Sequence, residues 1–251
     1  MGRGGGIEVV GASEHRYHTL HLSPDGKSFA ADESGNNHIW IHDLERGTRV
    51  LGVSGSTLQT PRFKPDGTVI AYSVGGEGIF VKPADGTGES RLLVTKEHYQ
   101  TEPSWSPEGT FLAVTEVHPN TLRDIWILSH DGSSLPFLVT SAMELAPAFS
   151  PNGKWIAYQS DASGRAEIYV QPFPGPGTRH LVSTNGGKEP VWSRDGRELF
   201  YRENTAVMAV SVEVGDSFRA GSPQFLFDGP YQADTTGHAS YDVSPTDRSS
   251  S

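Results

Sequence analysis

The tetrapeptide Ser23-Pro24-Asp25-Gly26 returns five times along the chain, and no other feature constrains the fold as strongly. The returns are Lys64-Pro65-Asp66-Gly67, Ser106-Pro107-Glu108-Gly109, Ser150-Pro151-Asn152-Gly153, Ser193-Arg194-Asp195-Gly196 and the degraded Ser244-Pro245-Thr246-Asp247. Their starts at 23, 64, 106, 150, 193 and 244 lie 41, 42, 44, 43 and 51 residues apart. A period of about 40–45 residues built from strand signals indicates a β-propeller, one four-stranded blade to each repeat.

Each unit opens with a short strand ending in a large apolar residue: Leu22, Phe63, Trp105, Phe149, Trp192 and Val243. Proline then presets φ for a tight turn, and glycine supplies the positive φ that reverses the chain into an antiparallel hairpin. Second strands follow at Phe29-Ala30-Ala31, Ile70-Ala71-Tyr72, Leu112-Ala113-Val114, Ile156-Ala157-Tyr158 and Leu199-Phe200-Tyr201. Alanine in the middle of four of these suits close packing of one sheet on the next. Third strands recur at Ile39-Trp40-Ile41, Ile79-Phe80-Val81, Ile125-Trp126-Ile127 and Ile168-Tyr169-Val170, and more loosely at Val207 to Val210. Such continuous apolar runs fit strands covered on both faces.

An outer fourth strand is expected at Arg49–Val53, Arg91–Val94, Phe137–Val139, His180–Val182 and Gln224–Phe227. The fold class expected is therefore all-β, a six-bladed propeller of about 42-residue repeats whose last blade is incomplete. Residues 1–6 read as a flexible N-terminal segment, 7–245 as one propeller, and 246–251 as a disordered tail. Ile7-Glu8-Val9-Val10 is a candidate outer strand for the last blade. An incomplete blade would expose strand edges and an apolar face, so self-association is expected, and truncation of a longer gene product is the simplest account of the missing strands.

Twenty basic against thirty acidic residues give a net charge of −10, which repels phosphate backbones and argues against nucleic-acid binding. With no cysteine, disulfides and thiolate metal sites are excluded. No run approaches the roughly 20 apolar residues of a membrane span, and Met1–Gly6 lacks the apolar core of a secretory signal.

The unit Pro147–Tyr158 resembles the TolB-like, PD-type propeller repeat, a relative of the WD repeat. Glu167–Gly177 and Glu189–Arg202 are similar to the C-terminal propeller region of bacterial membrane-anchored serine/threonine kinases. The resemblance covers roughly 7–245 and implies a non-catalytic binding or sensing module on the extracytoplasmic side of a membrane. No phosphate loop, catalytic loop or Asp-Phe-Gly is present, so kinase activity is carried to no residue.

Site chemistry is sparse. Glu102 and Glu189, both in Glu-Pro-x-Trp, are equivalent positions just before the innermost strand, which in a propeller lies near one mouth of the central channel. They are the candidate rim for a protein, peptide or small ligand, against the plainer reading of turn chemistry that positions Pro103 and Pro190. The competing class is a propeller lyase or hydrolase using acidic funnel residues, which would need convergent titratable groups. Only Glu102 and Glu189 converge in the sequence, so no catalytic residue is assigned.

His15, His18 and His21 stand at intervals of three, a spacing that alternates faces on a strand and so disfavours a shared metal. Asp32-Glu33 and Asp161 offer oxygen ligands for calcium, but without EF-type spacing they read as solvated turn acids, and no cofactor is expected. Trp105, Trp126, Trp155 and Trp192 sit at repeat-equivalent places and read as core, and Pro172–Gly177 as a stiff connector.

Overall fold

A computed structural model describes residues 17–33, 35–95, 97–129, 131–229 and 239–244, and every described element is a β-strand. The strands form five blades, each an antiparallel meander running outward from the centre. Blade 1 holds β1 (Tyr17–Leu22), β2 (Ser28–Glu33), β3 (His38–Asp43) and β4 (Thr48–Ser54). Blade 2 holds β5 (Leu58–Phe63), β6 (Val69–Val74), β7 (Gly78–Pro83) and β8 (Arg91–Val94). Blade 3 holds β9 (Tyr99–Trp105), β10 (Phe111–His118), β11 (Leu122–Ser129) and β12 (Ser134–Leu138). Blade 4 holds β13 (Glu144–Phe149), β14 (Trp155–Ser160), β15 (Glu167–Pro172) and β16 (His180–Leu181).

Blade 5 departs from the pattern at its rim. It begins with β17 (Lys188–Trp192) and β18 (Glu198–Glu203), then extends β19 over nine residues, Ala206–Val214. One end of β19 pairs with β20 (Phe218–Ala220) and the other with β21 (Gln224–Asp228). Phe218 folds inward between blades 4 and 5, with its ring 5.5 Å from that of Trp155 and 6.5 Å from that of Trp192.

The repeated tetrapeptide recurs because each of its positions makes a bond. In blade 1 the Gly26 amide donates to Ser23 O, the Ser23 hydroxyl donates to Asp25, and the Ser28 amide donates back to Ser23 Oγ. The same bonds recur at Ser150 and Ser193. Gly26, Gly67, Gly109, Gly153 and Gly196 all sit at φ between 69° and 72°, a region costly to a residue with a Cβ. The core lies between blades rather than inside any one. Ala30, Ala71, Ala113 and Ala157, midway along the second strands, are fully buried and let neighbouring sheets approach.

The expectation of six blades is corrected to five. The sixth unit contributes no strand among the described residues; Ala239–Ser244 is a single extended segment beside the innermost strands of blades 5 and 1. The physical reason is that, among the described residues, no apolar second strand equivalent to Ile156-Ala157-Tyr158 pairs with it, and the bonds that hold it run to and from side chains. The candidate strand at 7–10, the flexible segment 1–6, His15, the turn residues from Pro245 on and the tail 246–251 lie outside the described residues.

Candidate functional site: the mouth of the central channel

Four inner strands carry the same irregularity. Thr60, Glu102, Ala146 and Glu189 each stand immediately before a proline and each adopt a left-handed φ, of 53°, 55°, 53° and 56°. The ladder register slips at each of these positions. A bulge there turns the backbone out of its own sheet toward the next blade, a strained conformation held in place by its neighbours.

The bulges set up bonds between blades. The Ala146 amide donates to Glu102 Oε2 at 2.7 Å, across blades 3 and 4, and the Thr115 hydroxyl donates to the same oxygen. The Ser240 amide and hydroxyl donate to Glu189 Oε2 at 3.0 and 2.9 Å, which fixes the sixth unit to blade 5 in the same manner. The Tyr241 hydroxyl donates to Glu189 O, and burial pushes this phenol well above its ordinary range. Both acids are buried, Glu102 at 4% exposure and Glu189 at 0%. Glu102 lines the floor of the mouth, whereas Glu189 lies behind Pro190, which does line it.

A second set of three bonds is made two residues further along the chain. The Phe63 amide donates to His21 Nδ1 at 3.1 Å, and the Phe149 amide to Ser104 Oγ at 3.1 Å. At the equivalent place the Leu22 amide donates to Asp242 Oδ2 at 2.8 Å, which closes the ring from the sixth unit onto blade 1.

Above these bonds opens a cavity of about 420 Å³ on the central axis, at the end of the molecule carrying the Ser-Pro-Asp-Gly turns. Its collar is Pro24, Pro65, Pro107 and Pro151, the prolines of four turns, with Arg194 in the fifth place. Below them stand Phe63, Trp105, Phe149 and Trp192, so two of the tryptophans read as core also form its wall. The ionisable groups on this cavity are His21, Arg62, Glu102, Arg194, Tyr241 and Asp242.

The carboxylates and Arg194 are committed to the fold. Asp242 accepts from the Leu22 and Val243 amides, and Arg194 donates through both terminal nitrogens to Ser23 O and Pro24 O of blade 1. Arg62 has one hydrogen bond among the described residues, to Pro61 O at 3.0 Å, and no carboxylate within 4.0 Å. Burial lowers the pKa of its guanidinium from the usual value, against the opposing pull of Asp242. Burial likewise pushes His21 down to about 4, so the ring is neutral at pH 7. Its Nδ1 accepts the Phe63 amide, which places the ring proton on Nε2.

The other sequence candidates do not converge. His18 stands 3.4 Å from Asp32, away from the mouth where His21 lies. Asp32 is not a solvated turn acid but a buried residue of β2 that accepts from the Thr19 amide and hydroxyl. Asp161 accepts from the Met143 amide. Among the described residues no group of three or more His, Asp or Glu could hold a metal ion. Pro172–Gly177 carries Phe173 into contact with Phe111 and Phe149, so the connector also packs blade 3 against blade 4. The sequence carries no sign that Arg62 and Asp242 reach the mouth, and it offers His21 only as a metal ligand and Arg194 only as a turn residue. Each is a departure from its repeat, and that departure was the available signal.

Comparison with known proteins agrees with this architecture. A protein TolB homolog of Chlorobium luteolum is 34% identical over 149 residues, covering 57% of this chain and 33% of the relative. The uncharacterized peptidase YuxL of Bacillus subtilis is 30% identical over 125 residues, covering 47% of this chain and 18% of the relative. The chain thus spans about a fifth to a third of these two curated relatives. A solved structure described as TolB from Agrobacterium tumefaciens superposes with a TM-score of 0.73 at 20% identity, over 86% of this chain and 82% of the other. Oligogalacturonate lyase from Vibrio parahaemolyticus superposes with a TM-score of 0.63 at 13% identity, over 89% and 69%, and shares the fold alone. These relatives give no support to the kinase-associated subgroup or to truncation. Residues 77–231 match the family model PD40, the TolB beta propeller domain, and with more than half of its length so matched the chain belongs to the TolB β-propeller family.

Proposed function

We propose that this chain is a non-catalytic binding module that receives a partner protein at the mouth of its central channel. The observation that carries this reading is the mouth itself. A cavity of about 420 Å³ is walled by four prolines and four large aromatic residues, on a frame whose inner strands are clamped blade to blade. Rigid apolar walls with few fixed polar groups are the usual make-up of a recognition site. The relatedness to TolB proteins points the same way. Glu102 and Glu189 act in this reading as the acids that shape the rim: Glu102 forms part of the floor, and Glu189 holds the segment that brings Tyr241 and Asp242 to the wall.

The test is selection of a displayed peptide library on the purified chain, followed by two variants. Pro151→Arg obstructs the collar at an exposed position, and Leu135→Arg alters β12, on the outside of blade 3, where Leu135 is 65% exposed. Binding lost with Pro151→Arg and kept with Leu135→Arg is the expected result. The reverse pattern, or a library that yields no binder, would refute the reading.

A further inference from the structure

Resting on the mouth as the binding site, we propose that it captures its peptide through a carboxylate, held by the Arg62 guanidinium with the Nε2–H of His21 beside it. The argument is one of charge commitment inside a single cavity. Six ionisable groups line it, and five are already engaged with the protein, Tyr241 by donating to Glu189 O. Glu102 accepts from Thr115 and Ala146, Asp242 from Leu22 and Val243, Arg194 donates to Ser23 and Pro24, and His21 accepts from Phe63. Arg62 alone faces the cavity with most of its five donors unspent among the described residues. Its only bond is to the carbonyl of the preceding residue.

A half-buried guanidinium with no acid at ion-pair distance, attracted by Asp242, Asp32 and Glu102 only from further off, is a costly arrangement for stability alone. Its planar fork matches a carboxylate in a bidentate pair. The repeat shows that nothing in the architecture demands an arginine there. The equivalent positions in the other four blades are His21, Ser104, Ala148 and Val191, and a blade forms around each of them. The fixed tautomer of His21 adds a neutral donor on the same cavity, with Nε2 3.9 Å from Asp242 Oδ2, too far for a hydrogen bond.

The walls favour a peptide over an acidic sugar. A carbohydrate needs side chains for its many hydroxyls, but of the serines on this cavity Ser150 and Ser193 spend their hydroxyls on their own turns and Ser104 accepts from Phe149. Prolines and aromatic rings suit apolar side chains flanking one carboxylate.

The test uses three tripeptide probes, measured by calorimetry on the full chain: acetyl-Ala-Pro-Phe with a free C-terminal carboxylate, the same peptide as its C-terminal amide, and acetyl-Asp-Pro-Phe amide. The acid peptides are expected to bind at least ~10-fold more tightly than the neutral amide, a ratio of the size given by a charge-assisted pair. The second and third probes separate a terminal carboxylate from a side-chain one. Arg62→Gln should bring the ratio close to one, Arg62→Lys should keep part of it, and Arg219→Gln, on an exposed stretch of β20, should leave it unchanged. A thermal melt of each variant shows that it is folded, and Arg62→Lys serves if Arg62→Gln is not. Equal affinity for acid and amide, or a preference that survives Arg62→Gln, overturns the carboxylate proposal while leaving the mouth as a binding site. No binding by any probe, together with an empty library selection, overturns both.

Discussion

Four of the joints around this ring are made blade against blade, and at the fifth the described residues contribute a single six-residue segment and one arginine. Inner strands β1, β5, β9, β13 and β17 pack in succession, each presenting a sheet face to the next, and among the described residues β17 has no comparable packing against β1. At the ordinary joints large apolar clusters do the holding. Ile70 and Tyr72 pack with Ile39 and Ile41 between blades 1 and 2, and Trp155 and Ile168 pack with Trp192 and Tyr201 between blades 4 and 5. Between blades 5 and 1 the work falls to Ala239–Ser244, through Ser240 on Glu189 and Asp242 on Leu22, with Arg194 reaching across the rim. Apolar contact is non-directional and spread over many atoms, whereas a few hydrogen bonds fail one at a time. The ring therefore has one joint whose strength can be read bond by bond.

The comparison is broken most directly at Glu189. Glu189→Ala removes the acceptor for the buried Ser240 amide and hydroxyl, and it does so beside Arg202, which is only 2% exposed. A loss of about 3 kcal/mol is expected, as for a buried polar group deprived of its partner. For a chain of this size that lowers Tm by roughly 6–12 °C. Release of the segment should also favour association between molecules, seen by light scattering. The matched change at an ordinary joint, Glu102→Ala, removes the acceptor of the Ala146 amide, but β13 remains paired to β14. It should cost about half as much. An equal or larger loss from Glu102→Ala would mean that the fifth joint is no weaker than the others.

Gly153→Val tests an ordinary joint through its turn. The residue sits at φ 71°, and a Cβ there would stand 3.4 Å from Pro107 Cδ of the preceding blade. Backbone strain and crowding together should cost about 2 kcal/mol. A melting curve that does not move would show that the turn yields without disturbing the joint.

Most of this frame was legible in the sequence because the repeat is local chemistry. Serine, acid and glycine at fixed offsets specify the turn, and Ile-Ala-Tyr and Ile-Tyr-Val runs specify strands covered on both faces. The number of blades was not legible in that way. A sixth turn signal was present at Ser244-Pro245, but a blade also needs second and third strands to pair with, and a turn signal carries no information about them. The roles of Glu102 and Glu189 were half visible. Their equivalence placed them near the channel, yet only the left-handed bulge before Pro103 and Pro190 shows that they turn toward the neighbouring unit. Arg62 escaped notice for the opposite reason, since it matches no repeat and no motif.

Acid should weaken the joint between blades 1 and 2 together with the mouth. His21 is held neutral by burial, down to about 4 in the folded chain against an ordinary 6.5, so between those values the unfolded chain binds more protons than the folded one. Stability is then fully present above pH 6.5 and falls as pH drops toward 4. The ring is partly open to the cavity, with its side chain 30% exposed, so solvent screening reduces the effect to about 1–2 kcal/mol. Unfolding by urea at pH 7 and pH 5 measures it, and His21→Gln should remove most of the difference. A pH dependence that is the same in both proteins would assign it to other groups.

The smallest effect is expected at Arg194, where the comparison is finest. At three of the ordinary joints the turn nests on the proline of the turn before it: a Cβ on Gly67 would lie 3.8 Å from Pro24 Cδ, and one on Gly196 3.6 Å from Pro151 Cδ. Between blades 5 and 1, Arg194, standing where the repeat has proline, spans the distance to Ser23 O and Pro24 O. Both bonds lie near the surface and hold a long side chain in one geometry, so Arg194→Ala should cost less than about 1 kcal/mol. Arg194→Pro restores the repeat but not the reach, and should cost about the same. If either variant melts several degrees lower than that figure allows, the rim contact, and not the Glu189 and Asp242 bonds beneath it, is what closes the ring.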